Sequence, residues 1–351
     1  MSLLITNPNL QVHLTKKNHL YFSISGTPGV EYDNNADFYL ELLTLIQNEI
    51  EVKHLPSHLQ NTGYLIDEED LKELLESWKS HNILKDYEEI DEQINELAYE
   101  KYDRQIKNFG TLPGLSQSDG VKFQKILSGT TVGLIGVGGV GSYIAHGLSL
   151  MGIGGLKLVE GDIIELSNTS RQILYHEHAV GRKKVEVAKE QLQISAPKTS
   201  VKTLDTFVNR DNLDEVSDFL SDVDFIVLAA DTPRGEIEYI TDEIAYKNNT
   251  PWLTFAPFNF SKVFIGPLII PNKTKRLHEL IPQTEFVADN VKVKEINERF
   301  FPTIMDPYNG IAAKMALIEI VKYITGYTQS SVIDKRILLD TATWEIEHYE
   351  L

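Results

Sequence analysis

The stretch Thr131-Val132-Gly133-Leu134-Ile135-Gly136-Val137-Gly138-Gly139-Val140-Gly141 decides how the rest of the chain is read. Thr131 to Ile135 is a short uncharged run of the kind that forms a strand buried on both faces. It leads straight into a glycine loop. Ile144, Leu148 and Leu150 follow at spacings that predict a helix. In that setting the glycines do two jobs. They permit a tight turn, and they let backbone N–H groups approach a phosphate while the helix N-terminus supplies a favourable dipole. A glycine loop alone is a weak signal; between a strand and a helix it becomes informative.

The next apolar run, Leu156 to Val159, ends at Glu160-Gly161-Asp162. Glu160 lies 24 positions after Gly136, where an acid accepts hydrogen bonds from ribose hydroxyls. A nicotinamide-dependent oxidoreductase would show the same pattern. What comes next separates the two readings. Asn168-Thr169-Ser170-Arg171-Gln172 lies just beyond, and Lys184 follows 13 residues after Arg171, with Lys183 beside it as a rival. Two cations suit a triphosphate better than a dinucleotide, because reaction at the α-phosphate builds negative charge. Asp231 closes the run Phe225 to Ala230, where a carboxylate faces the ligand crevice of a parallel sheet and can hold Mg²⁺.

Further runs at Ser200 to Thr206 and Trp252 to Phe255 alternate with helical patterns. The expected fold is therefore α/β, a Rossmann-like, doubly wound and mostly parallel sheet. A late helix carrying Ile311, Met315, Ile318 and Lys322, opening at Asn309-Gly310 after Pro307, would close it. Residues 1–95 read as a separate small module. Leu10, Val12 and Leu14 alternate, as do Leu20, Phe22 and Ile24, predicting two strands with one buried face; Gly26-Thr27-Pro28-Gly29 ends the second. Phe38, Leu42, Leu45 and Ile46 take helical spacing, and so do Leu71, Leu74, Leu75 and Trp78 behind an N-cap at Asp67. That order suggests a winged-helix-like domain, with residues 85–108 as a connecting helix and residues 96–351 as the nucleotide domain.

Composition narrows the function. With 351 residues, 42% of them hydrophobic, the chain can bury a sizeable core. Its formal charge of −18 and lack of a large Lys/Arg cluster argue against nucleic acid. Residues 67–103 hold 14 acids against four lysines, which suits solvated helix faces or a surface that meets a basic peptide. There is no cysteine, hence no disulfide, no Cys-ligated zinc and no thioester on the enzyme's own thiol. Met1-Ser2-Leu3-Leu4-Ile5 lacks the features of a signal peptide, and the uncharged stretch Thr131 to Leu156 carries many glycines together with Ser142 and His146, unlike a membrane span. A soluble cytoplasmic protein is expected.

Taken in order, these residues resemble the ThiF/MoeB/E1 superfamily of ATP-dependent carboxylate-adenylating enzymes. The resemblance runs over roughly residues 100–351. It is carried by Tyr102-Asp103-Arg104-Gln105, the loop Gly136 to Gly141, Glu160 with Asp162, Ser167-Asn168 through Arg171-Gln172, Lys184 and Asp231. It implies that Gly136, Gly138, Gly139, Gly141, Glu160, Asp162, Asn168 and Gln172 hold the nucleotide, with Glu160 in place of the family's usual Asp at the ribose. It further implies that Arg171 and Lys184 bind phosphates, that Asp231 binds Mg²⁺, and that Arg104 reaches across a homodimer into the partner's ATP. Within the superfamily the chain is most similar to the microcin C and pantocin A maturation type, whose N-terminal module clamps a ribosomally made precursor peptide. Gly266 to Pro271, Arg299-Phe300 with Pro302, Pro307 with Asn309, and Lys335-Arg336 carry that likeness. Where the microcin type has zinc-binding cysteines, this chain has Arg276 and Glu279, and Leu351 precedes the place of a second cysteine pair.

The expected activity is ATP- and Mg²⁺-dependent activation of a peptide carboxylate without zinc, followed by intrapeptide cyclisation. Pantocin-like chemistry at glutamates is favoured over microcin-like chemistry at a C-terminal Asn. A nicotinamide-dependent oxidoreductase and a non-catalytic peptide-binding partner are the competing readings.

Overall fold

Two compact units make up the chain, Met1–Gln124 and Lys125–Leu351. The computed structural model describes residues 3–24, 28–32, 35–87, 96–112, 114–257, 261–282, 292–293 and 303–351. The expected domain boundary at 95/96, the turn residues Gly26 and Thr27, part of the acidic stretch, and Arg299, Phe300 and Pro302 therefore lie outside the described residues or at their margin.

In the first unit the strands are β1 (Leu4–Thr6), β2 (Leu10–Leu14), β3 (Leu20–Ile24), β4 (Val30–Tyr32) and β5 (Leu84–Asp86). β1 pairs antiparallel with β5, and β2, β3 and β4 form an antiparallel meander in that order. The central strand β3 buries Leu20 and Phe22, and Phe22 meets Trp78 edge-on at 5.3 Å between ring centroids. Trp78 lies on the helix Glu68–Ser80, whose N-cap Asp67 accepts the Glu69 N–H at 2.8 Å. Acids crowd its first turn and Lys79 sits in its last, matching the helix dipole. One expectation needs correction. β2 does not bury its apolar face: Val12 and Leu14 remain 37% and 56% exposed. As the outer strand, β2 keeps its ladder to β3 and packs Leu10 against the core, but leaves Val12 and Leu14 outside it.

The second unit contains β6 (Thr131–Ile135), β7 (Gly155–Val159), β8 (Ser200–Leu204), β9 (Phe225–Leu228), β10 (Trp252–Pro257), β11 (Lys262–Ile269), β12 (Lys335–Asp340) and β13 (Glu345–Glu350). They form one eight-stranded sheet in the order β13-β12-β11-β10-β9-β6-β7-β8. β8, β7, β6, β9 and β10 are mutually parallel, as expected. β11, β12 and β13 extend the sheet antiparallel, which the alternation of runs and helices did not suggest. Antiparallel neighbours need only a short link, and β12 ends at Asp340 while β13 starts at Glu345.

The helices of this unit form two packed groups. Gly139–Leu150, Lys184–Ser195 and Asp306–Thr325 make one; Leu213–Phe219, Ile237–Lys247 and Leu277–Leu280 make the other. The late helix begins at Asp306, three residues before the expected opening, because Pro307 serves well in a first turn where no N–H is needed. It stops at Gly326, whose φ of 69° closes it in left-handed conformation. Its buried side is Ala312, Ala313, Ala316, Leu317 and Ile320, whereas Ile318 is exposed. Leu317 reaches Gly147 so closely that a Cβ there would lie 2.3 Å from Leu317 Cδ1, and the Tyr143 hydroxyl donates to Asp306. Among the described residues no helix is long and apolar enough to cross a membrane.

Candidate active site

The order β8-β7-β6-β9-β10 reverses direction between β6 and β9, which is where an open α/β sheet leaves a crevice beyond its carboxyl ends. A cavity of about 700 Å³ opens there. Gly136 makes the turn out of β6 at φ 92°, and a Cβ on it would lie 2.6 Å from the Ala229 carbonyl oxygen. Gly138 caps the helix Gly139–Leu150 and faces open space: the nearest atom to a Cβ there is Gln172 Nε2, at 3.9 Å. Gly139 lies against Asn309, with 2.8 Å from a built Cβ to Nδ2. Gly141 does not line the cavity among the described residues. Its lack of a side chain lets the first turn close under the loop, since a Cβ would fall 2.1 Å from the Gly136 oxygen.

The loop is held from both sides. Tyr175, buried, donates its hydroxyl to the Val137 carbonyl at 2.8 Å. Burial first, and then the charges of Glu160 and Asp162, push its phenol well above the usual range, so it stays a neutral donor. Glu160 accepts the Val137 N–H at 2.9 Å through one carboxylate oxygen and the Asp162 N–H at 3.1 Å through the other. Its carboxylate is thus fixed in the cavity wall, with lone pairs left for hydroxyl donors.

Among the described residues three cations line the cavity, the expected Arg171 and Lys184 and, beyond β9, Arg234. Lys184 opens the helix Lys184–Ser195, is 5% exposed, and donates to Asp162 at 2.6 Å. Its neighbour Lys183 points elsewhere and pairs with Asp205 on the surface. Arg171 ends the short turn Leu166–Ser170 and donates to the Ser167 carbonyl at 2.6 Å. Asn168, buried, closes that turn by accepting the Glu165 N–H at 3.1 Å. Gln172 is 5% exposed, and its Oε1 has no hydrogen-bond partner among the described residues. Asp231 is exposed just beyond β9 and accepts the Thr232 hydroxyl at 3.2 Å. Gly136, Gly138, Gly139, Glu160, Asp162, Asn168, Arg171, Gln172, Lys184 and Asp231 all line this one cavity.

A model of the ThiF family matches residues 102–351. The chain belongs to the ThiF family. Its fold is that of E. coli MccB, whose structure with ATP superposes with a TM-score of 0.75 at 22% identity, over 100% of this chain and 96% of the other. PaaA gives a TM-score of 0.72 at 22% identity, over 97% and 98%. In sequence, the adenylyltransferase and sulfurtransferase UBA4 of Scheffersomyces stipitis is 30% identical over 161 residues, 45% of this chain. The chain spans about a third (33%) of that relative's length.

Arg104 of this ThiF-family chain is exposed on the helix Glu96–Gly110 in the first unit and is not among the residues lining the cavity. Arg276 and Glu279, at the positions where the microcin type is expected to carry cysteines, serve each other: Glu279 accepts the Arg276 N–H at 2.7 Å. The Arg276 guanidinium also meets Asp242 at 2.9 Å and lies 4.5 Å above the Tyr246 ring.

Several lining residues went unnoticed as site candidates in the sequence. Asn309 donates to the Arg171 carbonyl at 3.3 Å and sets the back of the loop. Phe207, Phe255 and Glu238 line the cavity as well. Phe207 lies just beyond the carboxyl end of β8, a place that could have marked it; Glu238 sits inside a helix and carried no such mark.

Proposed function

We propose that this chain binds ATP in the β6–β9 crevice and uses it to activate a carboxylate of a ribosomally made peptide. The observation that carries the reading is the meeting of an open Gly138 with the two cations Lys184 and Arg171 in one cavity. Backbone N–H groups at the start of the helix Gly139–Leu150 would take phosphate oxygens, and Glu160 would accept ribose hydroxyls. Lys184 and Arg171 would stabilise the charge that grows as the carboxylate attacks the α-phosphate and pyrophosphate leaves. A nitrogen or carbon nucleophile of the same peptide then displaces AMP from the acyl group and closes a ring. No protein nucleophile is required, in keeping with a chain that has no cysteine.

Magnesium fits Asp231. Among the described residues there is no group of three or more metal-ligating side chains. Mg²⁺ commonly uses only one or two carboxylates, completing its shell with phosphates and water. Asp231, exposed in the cavity, offers such a carboxylate. Bound there, the ion would neutralise phosphate charge.

We assign peptide recognition to the N-terminal module, taken as about residues 1–95. β2 is the outer strand of its sheet and exposes Val12 and Leu14, so an extended leader could add to that edge. MccB, solved in complex with N-formylated MccA, is a fold relative that holds a peptide. Ring closure at glutamate side chains, in the pantocin manner, remains the favoured product, and a homodimer with Arg104 acting in trans the favoured assembly.

The test is mass spectrometry of the peptide encoded beside this gene after incubation with enzyme, Mg²⁺ and ATP, with NAD in a parallel arm. Peptide losing water with release of AMP and pyrophosphate is expected. ADP and orthophosphate instead would replace adenylation by phosphorylation, and modification dependent on NAD would overturn the reading.

A further inference from the structure

The strand ends divide the crevice into two halves. Thr206 and Phe207 stand beyond β8, Glu160 beyond β7 and the glycine loop beyond β6. A nucleotide held by Glu160 and that loop would occupy this half, with its base toward β8 and its phosphates at β6. The two cations that suit its phosphates, Arg171 and Lys184, both come from the connection between β7 and β8.

The other half belongs to the ends of β9 and β10. Asp231, Arg234 and Glu238 follow β9, and Phe255 lies in β10. Among the described lining residues Arg234 is the one cation of this half, against the acids Asp231 and Glu238. Its side chain is exposed, and its backbone is set by a closed turn. The Pro233 carbonyl accepts the Glu236 N–H at 3.1 Å and the Ile237 N–H at 2.9 Å, and Gly235 takes a φ of 73°. The guanidinium is thus carried at a fixed place, where the chain enters the helix Ile237–Lys247. Adenylation must bring a carboxylate into this half and against a triphosphate. Asp231 and Glu238 repel such a group, and an ion on Asp231 is engaged by phosphates, so the approach calls for a further cation.

We propose that Arg234 binds the reacting carboxylate itself, donating to the oxygen that does not attack and leaving the other free to reach the α-phosphorus. The free oxygen forms the new bond to phosphorus as the bond to the bridging oxygen breaks. Pyrophosphate leaves with the electron pair, and no proton is transferred. This rests on the adenylation reading above and assigns a catalytic residue to its acyl half. Arg234 contributes by holding one anion in line with another that would otherwise repel it.

Calorimetry with α,β-methylene-ATP, whose bridging carbon blocks adenylation, separates the two halves at saturating Mg²⁺. With that nucleotide bound, the peptide encoded beside this gene is titrated, and then the same peptide with every carboxyl group replaced by a carboxamide. From wild type to Arg234→Ala the carboxylate-to-carboxamide affinity ratio is expected to fall by about tenfold or more, the share of one charge-assisted hydrogen bond. In Arg234→Lys, which keeps the charge but not the guanidinium, it should fall less. Affinity for α,β-methylene-ATP alone should stay within about twofold in both variants, which a collapsed cavity would not allow. An unchanged ratio in Arg234→Ala overturns the proposal. If nucleotide affinity falls while the ratio holds, Arg234 serves phosphate instead. Either result leaves adenylation standing. If the wild type binds no α,β-methylene-ATP, or no peptide beside it, the adenylation reading fails and this one with it.

Discussion

Lys183 and Lys184 differ by one position and by everything that matters to function. Lys184 is buried against Asp162 in the cavity, while Lys183 reaches Asp205 at the surface. Lys184→Ala should therefore lower AMP release by about two to three orders of magnitude, corresponding to ~3–4 kcal/mol for a lost charge stabiliser. Lys183→Ala should stay within a few-fold of wild type, as an exposed ion pair contributes little. Equal loss in both variants would remove Lys184 from its assigned role. The spacing from Arg171 brought this lysine pair to notice, yet nothing in the sequence told the two apart, because the choice depends on which way the chain turns as the helix begins. His146 permits a second test at this scale. Burial first, and then the Lys314 charge, hold its folded pKa below the ordinary 6.5. The unfolded chain then binds the proton more readily, so this contribution to stability is intact above about 6.5 and is lost as pH falls through the folded value. The urea midpoint should drop between about pH 7.5 and 5.5, and His146→Gln should shrink that drop. An unchanged drop would show that other groups cause it.

At the scale of elements, the helix Ile237–Lys247 is tied to the segment around Leu277–Leu280 by one buried acid. Asp242 is 3% exposed and takes Arg276, the Trp252 indole N–H at 3.3 Å and the Leu277 N–H at 3.5 Å. Asp242→Ala removes the partner of a half-buried guanidinium and should destabilise the fold by about 3–5 kcal/mol in urea unfolding. A loss below about 1 kcal/mol would mean the cluster only decorates the surface. This tie joins positions 34 residues apart and was not legible in the sequence. The legible elements were those whose pattern reports burial. β6 and β9 are almost wholly buried and read as unbroken apolar runs. β13, Glu-Ile-Glu-His-Tyr-Glu, is exposed along its whole length and is a strand only because its backbone completes the ladder to β12. Glu238 shows the same limit at the site. A glycine loop advertises itself through a rare residue pattern, whereas an acid within a helix looks like any solvated one.

For the whole molecule the prediction concerns Arg104. The cavity gathers the nucleotide-binding candidates of the second unit apart from Gly141, but Arg104 is exposed on a helix of the first and shows no salt bridge or hydrogen bond among the described residues. Asp103 and Lys107 on the same helix pair with each other, and among the described residues neither pairs with Arg104. If it completes the ATP site of a partner subunit, Arg104→Ala and Asp231→Ala should each be inactive alone for different reasons. The first would lack the donated cation in both sites, and the second the Asp231 carboxylate in both. A mixed dimer would hold one site in which the Asp231 of one chain and the Arg104 of the other are both present. Mixing the two inactive proteins should then restore AMP release, up to about a quarter of the wild-type rate if subunits exchange at random and each site works alone. The control is exchange itself, followed by mass spectrometry of isotopically labelled chains. Exchange without any return of activity would place Arg104 outside the partner's site. Recovery that scales with the fraction of mixed dimer would show that one active site draws on two chains.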